Sequence, residues 1–179
     1  LAALAGSQGY ATTAFHPYKS SGWNRVLAYQ YLDFDRQMYE EDVPDPYIIR
    51  SYISDKSDYE MICRSTEQED SSFFFNVTMQ NHSGYAQGWY NLERSIELPE
   101  HLRTADRTAE QFLALMRESD KALEKLITYY SQCEEPTLVV FFGDHQPPLT
   151  NAFYEKLYGK KLSERTTEEV MQQYAVPFF

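Results

Sequence analysis

Apolar positions along this chain fall into short strand-like runs separated by stretches of helical period. The most apolar run is Thr137-Leu138-Val139-Val140-Phe141-Phe142. Five large apolar residues in succession predict a strand buried on both faces, as in the interior of a parallel sheet. The run stops at Gly143, Asp144 and His145 follow, and Pro147 and Pro148 block an immediate helix. Two earlier runs behave alike. Residues 10–15 form a short apolar and β-branched segment ending in His16 before Pro17, and residues 73–79 form an aromatic-rich segment that leads through Gln80 and Asn81 to His82. The aromatic and β-branched content of the latter suits a central strand.

Between these runs the period changes to that of helices. A helix opens the chain at Leu1–Ala5 and stops near Gly9. Another is expected from Trp23 to Leu32 with Val26, Leu27 and Tyr31 turned inward. Ser54 and Asp55 read as caps for a helix over residues 56–64, with Tyr59, Ile62 and Cys63 on its buried side. The longest helix is expected over residues 108–132, its stripe at Phe112, Met116, Leu123, Leu126, Ile127 and Tyr130. Two more are expected at 151–158 and 166–174, joined by a basic link at Lys160 and Lys161. Residues 42–46 form a proline loop, 67–72 an acidic turn, and 86–100 an irregular surface excursion over the site. Helices alternating with strands predict an α/β fold, a mainly parallel sheet flanked by helices.

In such a sheet every strand's carboxyl end lies on one edge, the edge at which ligands bind. His16, His82 and the Asp144-His145 pair all stand at predicted carboxyl ends. With Arg25 they are therefore expected to cluster within reach of one small ligand. A carboxylate oxygen and a neutral imidazole nitrogen suit zinc or manganese, and Gly143 would let the backbone pass close to a bound group. The plainer alternative for Gly-Asp-His is a polar turn with Asp144 as a cap. His101 receives no role.

Composition narrows the partners. A net charge of -11 over 179 residues argues against a nucleic-acid surface, which needs a basic stripe. A phosphate-bearing partner must then be held by a few placed cations or a metal. No run approaches the roughly 18 apolar residues of a membrane span, and no signal-peptide pattern is present. Cys63 and Cys133, the two cysteines, have no metal spacing and read as buried free thiols. The chain starts inside a helical pattern without Met, and Val176-Pro177-Phe178-Phe179 breaks off as if in a strand. The expectation is a single-domain piece, residues 1–179, of a longer protein. Asn76-Val77-Thr78 and Asn81-His82-Ser83 match glycosylation sequons but fall in a predicted strand and in the predicted site, so they are taken as coincidence.

Taken together, Ala14-Phe15-His16-Pro17-Tyr18, Gly22-Trp23-Asn24-Arg25, Val77-Thr78-Met79-Gln80-Asn81-His82 and Phe141-Phe142-Gly143-Asp144-His145-Gln146-Pro147 resemble the lipoteichoic acid synthase family of the sulfatase and alkaline phosphatase superfamily. The resemblance spans nearly the whole chain in the right order. It implies a partial sulfatase-like catalytic domain of a membrane-anchored enzyme on the extracellular face of the bacterial membrane, itself a soluble piece of that parent. The implied reaction moves glycerol phosphate from the phosphatidylglycerol head group onto a glycerol phosphate polymer, using a threonine nucleophile and a divalent metal, manganese first and magnesium or zinc as alternatives. By position, Asp144 and His145 match metal ligands, and His16, Trp23, Arg25 and His82 match residues lining the phosphate and glycerol pocket. The family's nucleophile and acidic ligand lie upstream of residue 1, and Thr12, Thr13 and Thr78 do not occupy the nucleophile position. The expectation is therefore that this chain alone is inactive and holds metal weakly or not at all. The alternatives are a sulfatase or phosphoethanolamine transferase of the same superfamily, or a non-catalytic extracellular binding domain.

Overall fold

The computed structural model describes residues 1–86 and 88–179. These fall into two compact units, residues 1–82 with 117–132, and residues 83–116 with 133–179. In chain order the first unit contains α1 (Ala2–Ser7), β1 (Ala11–Phe15), α2 (Arg25–Tyr31), β2 (Arg36–Met38), β3 (Ile48–Ile49), β4 (Tyr52–Ile53), α3 (Asp55–Thr66) and β5 (Ser72–Asn76). Helices α4 (Glu100–Arg103) and α5 (Ala109–Tyr130) follow, and residues 117–130 of α5 belong to the first unit.

The sheet of the first unit has strand order β2-β1-β5, with both pairings parallel. Thr13 stands opposite Arg36 on one side and Phe74 on the other. Because side chains alternate along a strand, Ala14 and Phe15 serve opposite faces. Phe15 and Met38, both fully buried, pack with Ile53, Tyr59, Ile62, Ala122 and Leu126 beneath α3 and α5. Ala14 packs with Tyr29 of α2 and with Tyr39, flanked by Phe34 and Phe75. Burying each large side chain of this kind contributes about 1.5–3 kcal/mol. The predicted parallel α/β architecture is thus present. It is closed at β1 by Thr12, whose amide and hydroxyl both donate to Asp35 Oδ2 while the hydroxyl accepts from the Asp35 N–H.

Within this architecture several local expectations are corrected. In α2, Tyr29 is the buried residue while Val26, Leu27 and Tyr31 are exposed, because Ala14 and Phe75 of the sheet meet the helix on the Tyr29 side. The buried stripe of α5 runs through Leu115, Ser119, Ala122 and Leu126, and Met116 and Ile127 are exposed. Of the expected stripe, Leu126 is buried and Leu123 and Tyr130 pack against the same core, while Ser119 takes an inner position beside Asp55. Strand β5 is an edge of the sheet rather than its centre, and β2, with Arg and Gln in three residues, gave no strand signal.

The largest correction concerns residues 137–142, which are not a buried strand of a parallel sheet. The segment is extended, but its one bridge is antiparallel, Phe142 with Phe178, and Leu138 is 87% exposed. Phe141 and Phe179 exchange both backbone hydrogen bonds at 2.8 and 3.0 Å, and the ring pairs Phe141–Phe179 and Phe142–Phe178 stack. A strand buried on both faces needs partners on two edges and cover on two sides. Among the described residues only the 177–179 segment pairs with it.

The second unit also holds α6 (Asn151–Tyr158) and α7 (Thr167–Met171), both where the pattern placed them. Thr150 caps α6 by accepting from the Phe153 N–H at 3.2 Å and donates its hydroxyl to the Ala105 carbonyl at 3.0 Å. Asp106 accepts from the amides of Thr108 and Thr150 and from the Thr108 hydroxyl. Burial alone would raise its pKa, but these bonds outweigh it and hold the carboxyl below its ordinary value. Replacing Thr150 by alanine is expected to cost about 1 kcal/mol, as losing an N-cap does, measured as a lower urea midpoint.

Candidate active site

The carboxyl end of β1 delivers His16 into a fully buried position. Its Nδ1 lies 2.8 Å from the Val77 carbonyl oxygen. A carbonyl only accepts, so Nδ1 carries the proton and Nε2 presents a lone pair. Burial lowers the His16 pKa to about 4, against the opposing Val77 bond, and the charges of Arg25 and His82 push it the same way as burial. His16 is therefore neutral at pH 7 and faces the site as an acceptor. It can receive a hydroxyl hydrogen, and it does not protonate a leaving alkoxide.

After Pro17 the chain turns through a short 3-10 segment, Gly22–Asn24, into α2. Trp23 and Asn24 both adopt left-handed backbone, at φ 51° and 54°. Two consecutive non-glycine residues in that region are strained, and such strain persists where the surroundings over-determine it. The result is to swing the Trp23 ring, 57% exposed, against the His16, Tyr18 and His82 rings at centroid distances of 5.7, 5.6 and 5.8 Å. Arg25 follows at the start of α2. Its guanidinium lies 5.5 Å from the Trp23 ring and donates from Nη1 to the Tyr29 hydroxyl at 3.0 Å.

His82 closes a turn by donating its N–H to the Met79 carbonyl at 3.0 Å. Its ring is exposed and lies against Trp23 and Tyr52. The four residues assigned to the phosphate and glycerol pocket, His16, Trp23, Arg25 and His82, are thus brought together in the first unit. Tyr18 and Tyr52 complete the aromatic wall, their rings 6.0 Å apart, and neither was singled out from the sequence. The one available signal was that Tyr18 lies two residues past His16 in the motif itself.

The turn that leads to His82 is tied into a polar core through Gln80 and Asn81. Asp55 and Asp58, the first and fourth residues of α3, are both fully buried. Asp55 Oδ2 accepts from the Ser119 hydroxyl, and that hydroxyl accepts from the side-chain amides of Gln80 and Asn81 at 3.0 and 2.7 Å. Asp58 Oδ1 accepts from the Asn76 amide at 2.7 Å. Burial raises both acids, Asp55 to about 6 and Asp58 well above its ordinary value, with the Asp55 charge adding to the effect on Asp58. The two sequon asparagines, Asn76 and Asn81, spend their amides inside this network.

Asp144 and His145 belong to the second unit. Both side chains are exposed; the His145 N–H donates to Asp144 Oδ1 at 2.8 Å, His145 Nε2 lies 3.5 Å from Asp144 Oδ2, and His145 Nδ1 lies 2.9 Å from the Gln146 carbonyl. Gly143 serves a close chain approach: a Cβ there would stand 3.2 Å from Val176 Cβ, and its N–H donates to the Pro177 carbonyl. As donors, Asp144 and His145 suit zinc or manganese in kind. Among the described residues no three His, Cys, Asp or Glu side chains come together as a metal-binding group, so the pair fits part of a coordination shell.

The first unit thus gathers His16, Arg25 and His82 around the Trp23 ring beyond the carboxyl end of β1. The Sulfatase family model matches residues 1–179, and the chain belongs to the sulfatase family, a family of enzymes. A putative cyclic beta-1,2-glucan modification protein from Rhizobium meliloti is 33% identical over 168 residues, 91% of this chain and 26% of that protein. The chain thus spans about a quarter of that relative's length. Among solved structures, the lipoteichoic acid synthase LtaP from Listeria monocytogenes superposes with a TM-score of 0.78 at 22% identity, over 99% of this chain and 44% of that one. The phosphoglycerol transferase GacH from Streptococcus pyogenes, solved with sn-glycerol-1-phosphate, gives 0.65 at 25% identity over 86% of this chain and 42% of that one. The periplasmic domain of EcEptC from Escherichia coli, solved with zinc, gives 0.68 at 13% identity over 99% of this chain and 50% of that one, a likeness of fold. No helix among the described residues is long and apolar enough to cross a membrane.

Proposed function

We propose that the protein to which this chain belongs is a metal-dependent phosphoglycerol transferase. It takes glycerol phosphate from the phosphatidylglycerol head group and passes it to a cell-envelope polymer at the outer face of a bacterial membrane. The observation that carries this reading is the gathering of His16, Trp23, Arg25 and His82 around one exposed aromatic edge, in a chain whose net charge of -11 offers phosphate no general attraction. The likeness to GacH, which is described with sn-glycerol-1-phosphate, and the relative described as modifying a glucan support the donor group and a polymeric acceptor.

In this reading Arg25 holds two phosphoryl oxygens through its planar fork, already oriented by Tyr29 and Trp23. The Trp23 face covers the glycerol carbons. His16 accepts from a glycerol hydroxyl, and His82 donates to a phosphoryl oxygen or to the leaving alkoxide. Asp144 and His145 supply two ligands of a divalent metal, manganese in preference to magnesium or zinc, which when bound neutralises charge on the transferring group. The nucleophile is outside residues 1–179. Thr12 cannot serve, because its buried hydroxyl is committed to Asp35. The chain alone therefore transfers nothing and binds manganese weakly.

The test uses membranes containing the full-length protein and phosphatidylglycerol labelled in its head-group glycerol. Label is expected in polymer, with diacylglycerol released, lost on chelation and restored by manganese. Transfer from phosphatidylethanolamine alone would replace this reading with phosphoethanolamine transfer. Release of sulfate from a sulfate ester without lipid turnover would make the protein a sulfatase, and no turnover of any of these would favour a binding domain.

A further inference from the structure

His82 presents an exposed ring on a backbone that is anchored at every residue of its turn. Gln80 and Asn81 are tied through their side chains to Ser119, and Gln80 Oε1 also accepts from the Asp55 N–H at 3.0 Å. The main chain of the same turn is gripped from the other side by the β3–β4 hairpin. Arg50 Nη2 donates to the carbonyl oxygens of Gln80 at 2.8 Å and of His82 at 2.9 Å. Arg50 is only 6% exposed, and it sits in left-handed backbone at φ 55° in the two-residue turn that joins Ile49 to Tyr52. Burying a guanidinium and straining its backbone are both unfavourable, so the surrounding contacts must hold it there. From the same hairpin, the Tyr52 ring lies under the Arg50 guanidinium at 5.6 Å and against the His82 ring at 5.8 Å. Its hydroxyl is 3.4 Å from His82 Nδ1.

We propose that the Ile48–Ile53 hairpin is a positioning device for His82: Arg50 fixes the backbone of the turn, and Tyr52 fixes the imidazole in the tautomer that carries its proton on Nε2. The hydroxyl and Nδ1 can pair in either sense; in the assigned one the hydroxyl donates to Nδ1 and the ring's remaining proton sits on Nε2, the nitrogen that Tyr52 does not meet. His16 has the opposite assignment, with its proton on Nδ1 and a lone pair on Nε2. The two histidines therefore divide the work, His82 as donor and His16 as acceptor. This rests on the proposed function, in which His82 donates to the transferring phosphoryl group. Arg50 and Tyr52 touch no reacting atom in it; they act through His82.

The direct test is nitrogen-15 NMR of the imidazole rings of residues 1–179 at pH 8. The expected result is an Nε2–H tautomer for His82 and an Nδ1–H tautomer for His16. Tyr52→Phe should convert His82 to a mixture and leave His16 unchanged. Arg50→Ala should broaden or shift the His82 ring and amide signals, with Arg50→Lys restoring them in part. An Nδ1–H tautomer for His82 in the unaltered chain, or a His82 spectrum indifferent to both Tyr52→Phe and Arg50→Lys, overturns the proposal. Should Arg50→Ala fail to fold, the Tyr52→Phe and Arg50→Lys spectra decide it. In the full-length protein Tyr52→Phe is expected to lower kcat for transfer on the order of tenfold with KM little changed, the scale seen when a partner that orients a functional histidine is removed. A tautomer that responds while transfer is unchanged would uphold the positioning and remove His82 from the reaction.

Discussion

Replacing Arg25 by alanine in the full-length protein is expected to reduce kcat/KM for glycerol phosphate transfer by about 10²–10³, the scale of removing one preorganised donor from a developing charge. The side chain is fixed before substrate arrives, by the Tyr29 hydroxyl at 3.0 Å and by the Trp23 face. Little reorganisation is then needed at the moment of reaction. Arg25→Lys should recover only part of the loss, because an ammonium lacks the two-pronged fork and would leave the Tyr29 contact slack. Thermal melting of the variants separates this from unfolding. The guanidinium is half-buried and outside both core clusters, so the midpoint should move little while activity collapses. An Arg25→Ala protein that transfers at the normal rate would mean that the phosphate is held elsewhere and that this edge is not the site.

What could be read from the sequence was whatever local chemistry controls. Ser54 caps α3 by accepting from the Ser57 N–H, and Thr150 and Thr166 cap their helices in the same way, so these starts were legible within a residue or two. The strands before His16 and His82 were legible because a short apolar run ending at a polar cluster is itself the signal. The β3–β4 hairpin was not, since Arg50-Ser51 carries none of the Gly or Asn that mark tight turns. Neither was the inward place of Ser119 on α5, where its partner is Asp55, 64 residues away in sequence. The run at 138–142 was misread for a related reason. Its composition asks for cover, but composition does not say which chain segments supply it. The four residues expected to line a pocket were picked out by motif and lie together in the first unit, while Tyr18, Arg50 and Tyr52, which frame them, lie on elements whose meeting only the fold decides.

The stability of the first unit should fall as pH rises from 5 to 6, and the cause should be Asp58. A carboxyl whose folded pKa lies above its unfolded value binds more protons in the folded state, so stability is greatest at low pH and declines through the window between the two values. Asp55 declines between its ordinary 3.8 and about 6. His16 runs the other way: with its pKa lowered from 6.5 to about 4, it adds stability as pH rises through that interval and nothing further above it. Between about pH 4 and 6 these two effects run in opposite directions and offset. What remains there is Asp58, raised by burial first and by the neighbouring Asp55 charge second, with only the Asn76 amide opposing. The expected slope is about 1.4 kcal/mol lost per pH unit for one proton held by the folded state alone, measured by urea unfolding at pH 5.0, 5.5 and 6.0. Asp58→Asn keeps an oxygen for the Asn76 amide and cannot ionise, so its profile over the same range should be flat. A flat profile in the unaltered chain, or an Asp58→Asn profile parallel to it, would show that Asp58 does not carry this proton.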